Sequence, residues 1–170
     1  MKSQKPIRLL VMDVDGTLTD GQIYMSAQGE LMKAFHVKDG YGIRNLLPKK
    51  QIIPVIITGR TSAIVENRCR ELEIRYLYQG VERKDACLKR VSEELSIPLE
   101  QAACMGDDEN DLPMMRLCGV CGCPADAADA VKKQRVFTST YTGGHGAVRE
   151  FIEWILEEGC EKSEVQIMRL

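Results

Sequence analysis

Near the N-terminus, Arg8-Leu-Leu-Val-Met-Asp13-Val-Asp15-Gly-Thr17 sets a short apolar run against two carboxylates. An unbroken apolar run ending in a carboxylate is the pattern of a parallel strand buried on both faces that delivers an acid at its C-terminal end. Two carboxylates two residues apart reach one crevice if the strand ends between them and the chain turns, which Gly16 permits.

Outward from this strand the pattern repeats. Gly21-Gln-Ile-Tyr-Met-Ser-Ala-Gln-Gly-Glu-Leu-Met-Lys-Ala-Phe35 places strand-like residues on both sides of a Ser-Ala-Gln-Gly turn and predicts a β-hairpin. Residues 40–49 predict a helix stopping near Pro48, with Gly40 and Gly42 weakening its start. Ile52-Ile-Pro-Val-Ile-Ile-Thr-Gly59 is a second core strand, and 62–73 an amphipathic helix capped by Ser62. Further strands are predicted at 76–79, 102–106, 119–123 and 136–139, and further helices at 84–95, 111–118, 126–133 and 147–158. Alternation of this kind gives a three-layer, Rossmann-like α/β domain with a mostly parallel sheet, carrying one hairpin insertion. In such sheets the reacting groups collect beyond the C-terminal strand ends.

Composition narrows the function. The chain has 170 residues, 44% apolar and 28% charged, as in an ordinary globular protein of one domain. A formal net charge of −2 speaks against a broad basic surface for nucleic acid or anionic membrane, and no apolar run approaches the ~18–20 residues that span a bilayer. The run from Ile7 to Met12 is broken by Asp13 and is too short for a signal peptide, so a cytoplasmic protein is expected. Seven scattered cysteines read as reduced thiols. Cys118-Gly-Val-Cys121-Gly-Cys123 reads either as half a zinc site or as a short strand of small residues. With no second Cys or His pair at suitable spacing, the strand is favoured.

The chemistry comes from what the strand ends carry: Asp13-Val-Asp15-Gly-Thr17, then Thr58-Gly59-Arg60, then Lys84 opening a helix, then Gly106-Asp-Asp-Glu-Asn-Asp111. Each alone is ordinary: Asp-x-Asp-Gly is a common turn, and acids favour helix N-termini. Together they spell phosphoryl transfer to a carboxylate. A divalent cation held by carboxylates lets an anionic nucleophile approach an anionic ester, and hard oxygen ligands suit Mg2+. A lysine cancels further charge, a hydroxyl holds the transferring oxygens, and a second Asp carries the proton.

The four motifs resemble those of the haloacid dehalogenase superfamily of phosphatases. That resemblance implies Asp13 as the nucleophile forming an aspartyl-phosphate, Asp15 as general acid/base, and Thr58 and Lys84 as holders of the phosphoryl group. It implies Mg2+ on Asp13, the Asp15 carbonyl and Asp107, with Asp108 and Asp111 in support.

A closer likeness covers nearly the whole chain. The hairpin, Phe35-His-Val-Lys-Asp-Gly-Tyr-Gly-Ile-Arg44, Tyr78-Gln-Gly80 and Gly143-Gly-His-Gly-Ala-Val-Arg-Glu150 are similar to the capless 3-deoxy-D-manno-octulosonate 8-phosphate (KDO-8-phosphate) phosphatases of lipopolysaccharide biosynthesis. The intervals of 45 residues from Asp13 to Thr58 and 23 from Lys84 to Asp107 likewise leave no room for a lid domain. The likeness implies a sugar acid phosphate as substrate. Its binding positions fall on Asp15, His36, Val37, Lys38, Asp39, Gly40, Arg44, Gly59, Arg60, Arg68 and Lys84, and three arginines suit bidentate recognition of a sugar carboxylate. A homotetramer is also implied, in which the hairpin (about 21–35) and the C-terminal segment (about 143–170) shield neighbouring sites. Two features depart from the pattern. His145 stands where many relatives carry Arg, and the tail beyond Gly159, including Val165–Met168, is more like the sibling KDN 9-phosphate phosphatases. Arg60 favours the eight-carbon sugar, because the siblings tend to carry Glu there.

Two other classes share parts of this pattern. Receiver domains also gather Asp, Thr and Lys at strand ends, but need no acid two residues after the phosphorylated one, as Asp15 is. A catalytically idle assembly domain would not need the intact set Asp13, Asp15, Lys84 and Asp107.

Overall fold

The computed structural model describes residues 6–134 and 136–167, the last ten by their backbone. Its elements run β1 (Leu9–Met12), β2 (Tyr24–Ser26), β3 (Gly29–Met32), α1 (Val37–Tyr41), β4 (Ile53–Ile57), α2 (Ala63–Glu71) and β5 (Tyr76–Tyr78). There follow α3 (Lys84–Leu95), β6 (Ala102–Met105), α4 (Leu112–Met115), β7 (Val120–Cys123), α5 (Asp129–Lys132), β8 (Phe137–Thr138) and α6 (Ala147–Ile167).

Six strands form one parallel sheet in the order β5-β4-β1-β6-β7-β8, and β2 and β3 form the separate antiparallel hairpin. β1 lies between β4 and β6, pairing Leu9 with Ile53 and with Ala102. The chain leaves β1 toward β4 and β5, then crosses back to β6 on the other side. This reversal opens a crevice beyond the C-terminal ends of β1, β4 and β6.

The apolar run of β1 is buried because each of its faces packs a core. Leu10 and Met12 join Ile56, Val65, Phe151 and Ile152 on one side, and Leu9 and Val11 join Ile57, Leu88, Cys104 and Met114 on the other. Two-residue alternation with both faces apolar is what a strand under two helical layers requires. Phe137, Phe151 and Trp154 stack with ring centroids 5.0–5.9 Å apart and fasten α6 to the outer strands.

The helix expected over 40–49 is corrected. α1 begins earlier, capped by His36, and passes into a wide turn of π type over Gly42–Leu46 and a tight 3-10 turn over Leu47–Lys50. Gly40 and Gly42 lower helix propensity through this segment, and Pro48 falls at the start of the last turn, where its missing N–H is not needed. The expected helices at 111–118 and 126–133 shrink to single turns, each just long enough to return the chain to the sheet. The final helix extends to Ile167, so the tail motif at 165–168 ends outside the described residues. In the cysteine-rich stretch, the thiols of Cys118 and Cys121 donate to the carbonyls of Met114 and Met115.

Candidate active site

The loop after β1 is wound tightly. The Val14 carbonyl accepts from the amides of Thr17, Leu18 and Thr19, which swings Asp15 out of the strand line while Asp13 stays at its tip. Gly16 makes this possible: its φ is +99°, and a Cβ there would lie 2.1 Å from Asp107 Oδ2. Gly143, in the loop before α6, packs against the same turn so closely that a Cβ would lie 1.9 Å from the Gly16 carbonyl oxygen.

Lys84 opens α3 and reaches under the crevice. Its Nζ donates to Asp13 Oδ1 and to Asp111 Oδ1, both at 2.6 Å, with 2% of its side chain exposed. Asp111 is fully committed, because its Oδ2 also accepts from the amides of Asp107 and Asp108 at 3.0 and 3.3 Å. Asp107 takes one hydrogen bond, from the Thr17 hydroxyl at 3.0 Å. Asp108 is exposed and caps the turn that follows. Thr58 is buried at the end of β4.

Carboxylate oxygens of Asp13, Asp107 and Asp111 all lie within 4.8 Å of one another. Burial pushes Asp107 up to about 8, helped by the charges of Asp13 and Asp111. Burial and Asp111 raise Asp13 to about 6 against the pull of Lys84. Burial works against the charge on Lys84, but the two carboxylates outweigh it and raise its pKa. A cluster of three acids against one lysine is short of positive charge, and its donors are hard oxygens, so Mg2+ fits. Asp13 and Asp107 have lone pairs to spare, whereas Asp111 serves by holding Lys84 and the loop amides.

A pH dependence follows. Both raised acids bind protons more tightly folded than unfolded, so without metal the thermal midpoint should fall as pH rises from 5.5 to 8. Mg2+ requires the same oxygens deprotonated, so its stabilising shift should grow over that window. Melting curves with Mg2+ and with EDTA check this, and a shift of equal size at both pH values would contradict it.

The structure distributes the other expected residues unevenly. Arg60, after the Gly59 turn, stands half exposed at the rim, 3.9 Å from Asp15 Oδ2. Arg44 points elsewhere, its guanidinium on Glu73 Oε1 at 2.7 Å and the Glu71 carbonyl at 2.9 Å. Arg68 pairs with Glu71 at 2.8 Å and lies over the Phe35 ring. His36 Nδ1 accepts from the Lys38 amide to cap α1, leaving Val37 and Lys38 in solvent.

Asp39 is buried. Its Oδ1 accepts from the Arg149 amide at 2.8 Å and so ties the turn of α1 to the start of α6, and burial raises its pKa. His36, Asp39, Gly40 and Arg68 surround a cavity of about 10 Å³, room for one water. Asp39 Oδ2 and Arg68 Nε find no hydrogen-bond partner among the described residues. His145 turns its Nδ1 to the Gly143 carbonyl at 2.8 Å.

Sequence reasoning missed one group. Lys33 hydrogen-bonds Asp15 and pairs with Glu30, whose other oxygen accepts from the Ser62 hydroxyl. Burial works to raise the Glu30 pKa, yet Ser62 and Lys33 hold it below the ordinary value. The signal was slight: Glu30 and Lys33 are the only charged residues in an otherwise apolar and polar hairpin.

The model of haloacid dehalogenase-like hydrolases matches residues 77–152. The 3-deoxy-D-manno-octulosonate 8-phosphate phosphatase KdsC of Escherichia coli BL21 is 44% identical over 92% of this chain and 82% of its own length. The chain belongs to the KdsC family. Solved KdsC-type structures agree with this membership. The Moraxella catarrhalis phosphatase, in complex with a magnesium ion, a phosphate ion and a KDO molecule, superposes with a TM-score of 0.86 at 38% identity, covering 96% of this chain and 94% of that one. The cobalt-bound Haemophilus influenzae phosphatase gives 0.86 at 37% identity, over 90% and 89%. The phosphatase activity and the mostly parallel α/β architecture expected from the sequence are those of this family.

Proposed function

We propose that this KdsC-family chain is a Mg2+-dependent phosphomonoester hydrolase that releases phosphate from 3-deoxy-D-manno-octulosonate 8-phosphate. The observation that carries the reading is the Lys84 bridge between Asp13 and Asp111 beside Asp107, at a crevice where Asp15 and Arg60 also stand.

Asp13 supplies the nucleophile: a carboxylate oxygen bonds to phosphorus as the ester oxygen departs, giving an aspartyl-phosphate. Asp15 gives its proton to that departing alkoxide, then takes one from the water that attacks phosphorus, which releases phosphate and restores Asp13. Thr58 and Lys84 hold the transferring oxygens, and Lys84 keeps Asp13 ionised against burial. Mg2+, when bound by Asp13, Asp107 and the Asp15 carbonyl, supplies neutralising charge between the ester and the carboxylates. Asp108 and Asp111 support that set.

Arg60 is the arginine that the chain's own geometry offers to the sugar carboxylate. Because it lies near Asp15 and Glu30, a Glu in its place would crowd three acids, so Arg60→Ala is the clean variant. A charge-assisted hydrogen bond is worth about 1.5–3 kcal/mol, so kcat/KM for the eight-carbon ester should fall by about one to two decades. Hydrolysis of p-nitrophenyl phosphate, which offers Arg60 nothing to hold, should stay within a few-fold. Equal losses on both esters would place Arg60 in the catalytic core, and no loss on either would favour the nine-carbon KDN 9-phosphate.

The hairpin supports an assembly. Met25 and Leu31 are 60% and 62% exposed, with Ile23 and Met32 beside them, too much apolar surface for a two-stranded hairpin in water. The reading is a homotetramer that covers it, and light scattering on the active enzyme should give four chains, not one. The described cysteines are all free thiols, which supports a reducing, cytoplasmic setting. Among the described residues no helix is long and apolar enough to cross a membrane.

A further inference from the structure

Asp15 has to point at two different oxygens in turn, that of the leaving group and that of water, so something must set the direction of its carboxylate. Among the described residues no side chain of its own loop does so, and Arg60 stands 3.9 Å away. The contact comes from the hairpin. Lys33, one residue beyond β3, turns inward until 2% of its side chain is exposed, and its Nζ hydrogen-bonds Asp15 Oδ1. The same Nζ pairs with Glu30 Oε1 at 2.9 Å. Glu30 is itself fixed, since its second oxygen accepts from the hydroxyl of Ser62. The Ser62 hydroxyl in turn caps α2 by accepting from the Val65 amide at 3.4 Å, and the Ser62 amide donates to Gln79 Oε1 at 2.9 Å. A chain of contacts thus runs from the start of α2 through Glu30 and Lys33 to the acid at the crevice.

The alternatives for Lys33 are weaker on this geometry. A substrate contact needs an accessible ammonium, and this one is enclosed between two carboxylates, whereas Arg60 beside it is 48% exposed and meets Asp15 and Glu30 only at 3.9 and 3.8 Å. A purely structural pair would not need to end on Asp15. Burying a lysine in this way is costly unless a carboxylate stays paired with it, and two partners hold it in one direction.

We propose that Lys33 is a positioning residue for Asp15, holding its carboxylate in the direction from which it serves the departing oxygen and then the water, with Glu30 and Ser62 fixing Lys33 in turn. This rests on the phosphatase reading above. It makes the hairpin a working part of the active site in its own chain as well as an apolar surface.

Steady-state kinetics on the full chain with saturating Mg2+ test it, using the eight-carbon ester and p-nitrophenyl phosphate. Lys33→Met keeps the buried stem and removes the ammonium. It should lower kcat by about ten- to a hundredfold on both esters, the size of loss that a misplaced catalytic group gives, with KM unchanged within about twofold. Lys33→Arg restores a donor to Asp15 and should recover most of that loss. Glu30→Gln leaves the Lys33–Asp15 contact but loosens Lys33, and should lower kcat less than Lys33→Met, again at constant KM. A raised KM with parental kcat would make Lys33 a substrate contact and overturn the proposal. So would Lys33→Arg as slow as Lys33→Met, or parental kcat in Glu30→Gln. If Lys33→Met does not fold, judged by its melting curve, the other two variants decide. A parent chain inactive on both esters would overturn the phosphatase reading and this proposal with it. An active parent with unaffected variants would overturn the positioning role alone.

Discussion

Asp13→Asn is expected to fold, to bind Mg2+ more weakly and to hydrolyse the eight-carbon ester at least about a thousandfold more slowly than the parent. The chemical reason is that an amide does not form the acyl-phosphate. The structural reason for expecting a folded variant is that Lys84 keeps its second partner, Asp111 Oδ1 at 2.6 Å, so no buried charge is stranded. Losing one carboxylate also relieves the cluster: Asp107 is held up by burial and then by the charge of Asp13, and its pKa should fall back toward the ordinary value. Phosphate release and a melting curve read both effects. Hydrolysis within about tenfold of the parent would remove Asp13 from the nucleophile role.

Asp15→Asn should be nearly as damaging for a different reason. On the proposed mechanism Asp13 can still attack, and the Lys84 bridge below it is untouched, but the proton that the departing alkoxide needs and the base that the water needs are both gone. General acid–base catalysis contributes about 10²–10⁴-fold, and kcat on the sugar ester should fall by that much. With p-nitrophenyl phosphate the two steps separate, because a phenolate leaves with little help while attack by water still waits for a base. A rapid burst of p-nitrophenolate followed by slow turnover is the expected trace. Turnover within a few-fold of the parent would mean that another group carries the proton.

The parts of this site that were legible in the sequence are those set by local order. A parallel strand buried on both faces must be continuously apolar, so Leu9–Met12 announced itself, and an acid after such a run can only stand at a strand end. Lys84 was legible for the same reason, as the first residue of a helix returning to the sheet. What was not legible depends on contacts between distant residues. Arg44 is drawn from the crevice by Glu73, 29 residues on, and Asp39 is claimed by the amide of Arg149, 110 residues on. Periodicity carries no trace of either pairing. The break of the 40–49 helix lies between these cases. Gly40, Gly42 and Pro48 were visible, but the wide turn they permit is settled by packing of that segment against α6.

Lys33 shows the limit most plainly. Its contact with Asp15 depends on how a hairpin folds back over a loop 18 residues earlier, which no local pattern encodes.

The proposed reaction depends on a phosphoryl group carried on Asp13. Asp15→Asn, mixed with p-nitrophenyl phosphate and Mg2+, quenched in acid during the slow phase and digested, tests it by mass spectrometry. One added phosphoryl group is expected on the peptide containing Asp13, absent from Asp13→Asn and from samples prepared with EDTA. A protein that turns over the ester yet carries no phosphoryl group would point to direct attack by water, and one that carries it on a peptide lacking Asp13 would point to another nucleophile; either would rule out the Asp13 intermediate.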